Sequence, residues 1–176
     1  MFTLLTAEAA SFTFGQYLST MTFGSALALL GAFLAVGLAG WGSAKGVGLV
    51  GQAAAGVISE DPSVAGKAII LQALPATQGL YGFVVAFLVM LKGGALNGSI
   101  FTLTLEQGMF FLVACLPIAF VGFFSAIHQA KVAAAGGQQA DKAVLRVVGI
   151  LILIHHQVIV AVLIALQYLG VGGKQF

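Results

Sequence analysis

Charge is scarce in this sequence. Of its 176 residues only 7% are Asp, Glu, Lys or Arg, and 60% are hydrophobic. A soluble domain carries roughly 25% charged residues, because charge is what covers a water-facing surface. A mean hydropathy of +1.10 says the same. The natural solvent for most of the chain is lipid. Cysteine is nearly absent as well. Cys115 stands alone inside an apolar run, so no disulfide framework within the chain is available. The net charge of +2 is too small to attract nucleic acid. No Ser-His-Asp set, Cys-His metal cluster or phosphate loop can be read. The glycine-rich stretch 42–51 lacks the Walker pattern and falls inside a helical run. These absences leave a membrane protein with no catalytic or nucleotide-binding constellation, so the chain is not expected to be an enzyme by itself.

What is present is apolar sequence in long continuous runs. A transmembrane helix takes about 20 such residues, and a barrel strand would alternate over about 10. Four runs are predicted as helices. The first covers 24–50 and continues to about 58, where Ser59-Glu60-Asp61-Pro62 stops it. The second covers 66–91, the third 108–135 and the fourth 144–169. Polar turns follow the second and third at Lys92-Gly93-Gly94, with Asn97-Gly98-Ser99, and at 136–141. The expected fold is an all-α membrane protein with four transmembrane helices. Residues 1–20 read as an interfacial segment, with Phe2, Phe12, Phe14 and Tyr17 suited to the headgroup zone; they lack the basic start of a signal peptide.

Lys45, Lys67, Lys131, Lys142 and Arg146 flank the first and third turns, against Lys92 and Lys174 on the other side. The positive-inside bias puts those two turns in the cytoplasm and both termini outside. Gly42-Ser43-Ala44-Lys45-Gly46 closes the first run, and His128-Gln129-Ala130-Lys131-Val132 closes the third, 86 positions on. The halves 21–92 and 104–170 are therefore expected to be two tandem parallel hairpins, since a unit that crosses twice inserts its copy the same way round.

Gly24, Ala28, Gly31, Ala35, Ala39, Gly42 and Gly46 fall on one face of the first helix. Small residues at that spacing let backbones approach closely in lipid. The stripe reads either as ordinary helix packing or as the crowded inner circle of an oligomeric ring. Polar residues also interrupt the spans: Gln72, Thr77 and Gln78 in the second, Gln129 in the third, His155, His156 and Gln157 in the fourth. Each is costly in hydrocarbon and marks a partner or a pathway. His128 reads as an interfacial side chain.

Four segments carry a resemblance. Gly42-Ser43-Ala44-Lys45-Gly46-Val47-Gly48 is followed by Leu74-Pro75-Ala76-Thr77-Gln78-Gly79-Leu80-Tyr81-Gly82-Phe83. Leu116-Pro117-Ile118-Ala119-Phe120 and Gln129-Ala130-Lys131-Val132-Ala133-Ala134-Ala135-Gly136 follow in the second half. Together they resemble the proteolipid K subunit of V-type ATPases, and most closely the bacterial sodium-translocating type. The resemblance implies a homo-oligomeric ring in the cell membrane that carries Na+, or H+, by rotation coupled to ATP hydrolysis. It implies a stator a/I subunit with half-channels and central-stalk rotor subunits as partners, and no resident cofactor. It places ion ligands at the backbone of Leu74, the hydroxyl of Thr77 and the amides of Gln78 and Gln129. Such hard oxygens favour sodium over a proton.

The family pattern also has a glutamate in the fourth helix. After Gly149-Ile150-Leu151-Ile152-Leu153-Ile154, that position holds Gln157 here, and no Asp or Glu lies within any run. Three explanations fit. Gln157 is an engineered stand-in for a protonated glutamate, or His155 or His156 titrates in its place, or the ring does not couple. Uncoupled, the chain would be a structural or pore-forming proteolipid ring.

Overall fold

In a computed structural model the described residues are 15, 19–96 and 102–137. Within them the chain is helical, with three helices long and apolar enough to cross a membrane. The fourth run, with His155, His156 and Gln157, lies outside the described residues, as does nearly all of the expected interfacial segment. So the second hairpin is described only through its first helix.

The first span is one uninterrupted helix, α1, Phe23–Glu60. Its 38 residues give a rod of about 57 Å, longer than the roughly 30 Å hydrocarbon core, so part of it stands clear of the membrane. Both ends are closed by short polar side chains. Thr22 is the N-cap and accepts from Ser25 N. Asp61 ends the helix, its N–H on Val57 O, and its carboxylate accepts from Ser63 N at 2.9 Å to start the short 3-10 turn Pro62–Val64.

The sequence predicts one helix for the second span, and the structure has two. α2, Ala65–Ala73, gives way to a 3-10 turn, Leu74–Ala76, and then α3, Thr77–Lys92. Pro75 is the cause: it offers no N–H to the carbonyl of Leu71, and its ring crowds that carbonyl. Proline alone does not decide the matter. Pro117 sits inside the third span, α4, Leu105–Gly137, which stays α-helical throughout.

The small-residue stripe is used inside the chain. All seven of its members are buried in α1. A Cβ added at Gly31 would lie 2.9 Å from Leu112 Cα, and one at Gly42 2.6 Å from Phe123 O; one at Gly24 would run into Thr104 O. α1 and α4 therefore run in backbone contact along most of their length. Ordinary helix packing accounts for the stripe, and the stripe by itself does not argue for contact between copies. At the Thr22 end a polar clasp joins the two helices. Thr22 Oγ1 donates to Leu103 O at 2.6 Å, and Leu103 N donates to Ser25 Oγ at 3.0 Å.

Two apolar clusters fill the interior. One gathers Ala28, Ala32, Ala35, Val85, Ala86, Val89, Cys115 and Ile118; the other gathers Val50, Leu71, Ala130 and Ala133. On each span the polar residues fall between the two.

Candidate cation-binding site

The site begins at the helix break. Thr77 caps the 3-10 turn, with its N–H on Leu74 O, and its hydroxyl reaches the same carbonyl at 2.9 Å. Leu74 O thus accepts an i+3 bond and a hydroxyl bond where a regular α-helix would give it an i+4 bond. The Thr77 hydroxyl also lies 3.2 Å from Gln78 Oε1. It has one proton for these two acceptors, so it donates to one of them at a time.

Gln78 is 0% exposed, and so is Gln129 from α4. Gln78 Nε2 donates to Gln129 Oε1, joining residues 51 positions apart. Two buried amides from different spans are thus paired beside the Thr77 hydroxyl and the carbonyl of the 3-10 turn. No buried side-chain nitrogen or oxygen among the described residues lacks a hydrogen-bond partner. Satisfaction of this kind is what makes polar groups tolerable at this depth, since each unmade bond would cost about 1–3 kcal/mol.

Of the five residues singled out from the sequence, the structure brings four together: Leu74, Thr77, Gln78 and Gln129. Gln157 lies outside the described residues. Gln72 does not join them. It is half-buried against α1, where a Cβ on Gly51 would meet its Nε2 at 2.6 Å. His128 is exposed.

The sequence reading missed one residue. Ser43, buried on α1, accepts a 2.7 Å hydrogen bond from Gly79 N, next to Gln78. Its signal was faint: a hydroxyl between Gly42 and Gly46, on the face that the small residues mark for close approach.

The ATP synthase C-subunit family matches residues 30–89, a stretch that takes in Leu74, Thr77 and Gln78. The V-type sodium ATPase subunit K of Enterococcus hirae is 50% identical over 123 residues, which is 70% of this chain and 75% of that protein. The chain belongs to the V-type ATPase subunit K proteolipid family. The A-type ATP synthase subunit K of Methanocaldococcus jannaschii is 58% identical over 64 residues, 36% of this chain and 29% of that protein. As a proteolipid of this family the protein is integral to the membrane, and three helices among the described residues are long and apolar enough to cross it.

The electrostatics follow from the donor set. Leu74, Thr77, Gln78 and Gln129 offer only neutral oxygens. Neutral dipoles can replace the hydration shell of a hard cation. They cannot cancel its charge, which in a low dielectric is the larger cost.

Proposed function

We propose that this proteolipid forms a homo-oligomeric rotor ring that carries Na+ across the membrane, as a non-catalytic subunit of a rotary ATPase. Leu74 O, Thr77 Oγ1 and the amide oxygens of Gln78 and Gln129 are the neutral donors of its ion site, and position 157 completes it from the fourth span. One observation carries this reading. Two fully buried glutamines from different spans meet beside the Thr77 hydroxyl and the Leu74 carbonyl at a helix break, between two apolar clusters. The relative named as a sodium ATPase subunit favours Na+ as cargo and favours transport over a purely structural ring.

The ion would enter from a stator half-channel, exchange its hydration shell for these oxygens and ride the ring to a second half-channel. The ring's turns at 59–63 and 137–141 would face the central stalk. With Gln157 at the fifth position, nothing ionisable offsets the ion's charge, so the chain as written holds sodium weakly.

The test removes donors one at a time in rings made tight-binding by Gln157→Glu. Thr77→Val and Gln129→Leu should each lower sodium-22 affinity by roughly tenfold or more, about 1.4 kcal/mol. Gln72→Leu, outside the donor set, should leave it unchanged. Unaltered binding in both donor variants would refute the site.

A further inference from the structure

The broken second span must be held in one shape if its oxygens are to converge. Pro75 removes a rung of the ladder, and α3 restarts at Thr77 with no side-chain cap of its own. The hold comes from α1. Ser43 Oγ accepts from Gly79 N at 2.7 Å, a bond between spans that lands in the first turn of α3.

The surroundings fix that hydroxyl closely. Toward one end of α1, a Cβ on Gly46 would lie 2.7 Å from Pro75 Cβ. Toward the other, a Cβ on Gly82 would run into Ala35 O. Between these contacts, a Cβ on Gly79 would meet Ser43 Oγ at 3.0 Å and Ser43 Cβ at 3.2 Å. Glycine at 79 thus lets the two backbones close to the distance that one hydroxyl spans.

We propose that Ser43 is a positioning residue for the cation site. By holding the Gly79 N–H it fixes the start of α3, and with it the mutual geometry of the Leu74 carbonyl, the Thr77 hydroxyl and the Gln78 amide. Ser43 itself touches no ion. The inference rests on reading those groups as cation donors. A Ser43 that merely cemented α1 to α3 would affect ring stability and leave the affinity of intact rings alone.

The experiment compares Gln157→Glu rings alone, with Ser43→Ala and with Ser43→Thr, by sodium-22 binding and by thermal dissociation of the ring. Ser43→Ala should weaken sodium binding roughly five- to tenfold, the worth of one hydrogen bond. Ser43→Thr keeps the hydroxyl and should restore most of it. Undiminished affinity in intact Ser43→Ala rings would overturn the proposal, as would a loss that Ser43→Thr fails to rescue. Should Ser43→Ala rings not assemble, Ser43→Cys takes their place with the same expectation, since a thiol accepts only weakly. If Gln157→Glu rings show no saturable sodium binding, the cation reading falls. The positioning role is then decided by NMR of isotope-labelled rings. Ser43→Ala must shift the Thr77 and Gln78 side-chain resonances and Ser43→Thr must not; unshifted signals in Ser43→Ala overturn it.

Discussion

Replacing Gly42 by alanine tests how α1 and α4 are held together. The added Cβ would sit 2.6 Å from Phe123 O and 2.7 Å from Phe123 Cα, where ordinary contact begins at 3.4 Å. The obstructing atoms are backbone and cannot rotate away, so α4 must retreat by roughly 0.8 Å. A gap of that size forfeits a quarter to a half of the dispersion attraction of every atom pair it opens. In lipid that attraction is most of what binds the helices. The expected cost is about 1–3 kcal/mol, partly offset by up to about 1 kcal/mol of helix propensity gained. At Gly48, exposed and with nothing within 4 Å, alanine keeps the propensity gain and meets no obstacle. The chain carries its own reporter. Trp41, its single tryptophan, makes an edge-to-face contact with Phe123 at 5.8 Å. Thermal unfolding in detergent, followed by near-UV circular dichroism, should show Gly42→Ala destabilised with an altered Trp41 signal, and Gly48→Ala at or above the parent. A Gly42→Ala protein as stable as the parent would refute the close approach. A larger loss at Gly48 would mean that its exposed face is the one that packs.

Two further outcomes concern the turn between the first and second spans. The Ser63 hydroxyl and N–H, with smaller help from Lys67, hold the exposed Asp61 carboxyl below its ordinary value, against a slight opposing effect of burial. A depressed carboxyl contributes its stabilisation above the unfolded pKa of roughly 3.9 and loses it as pH falls through the folded value. Hydrogen-exchange protection of the Ser63 amide should therefore persist at pH 5 and fail only below roughly pH 4; loss at pH 5 would contradict the cap. Ser63→Cys should react with an impermeant thiol reagent from the cytoplasmic side and Ser99→Cys from the outside, while the reverse pattern would invert the topology.

Much of this architecture is legible in the sequence because lipid imposes simple rules. An apolar run has to be a helix, and a polar turn with proline has to end it. The first run reads as 24–58 and the helix is Phe23–Glu60. The break at Leu74–Ala76 is not legible, although Pro75 is in plain view. Pro117 occupies a similar run and leaves α4 intact, so the residue alone does not predict the outcome. What differs is tertiary. Pro75 packs on Gly46, and Thr77 and Ser43 take up polar backbone groups around the break. The proposed donor residues are legible through resemblance, but the pairing of Gln78 with Gln129 is not. The contact spans 51 positions and depends on how α3 and α4 meet. Ser43 escapes notice because its role lies in a single bond to a neighbouring span's backbone.

The central claim is that four neutral oxygens shape a sodium site whose charge must be balanced at position 157. Sodium-22 binding to purified rings, with Gln157 and with Gln157→Glu, each at two pH values, measures this directly. Neutral donors alone should hold the ion weakly and without regard to pH. A carboxylate there would cancel the ion's charge and also take a proton on the same oxygen, so binding should become tight and weaken as the pH falls. Equal affinity in the two rings would mean that the charge is balanced elsewhere, and would contradict the assignment of the site.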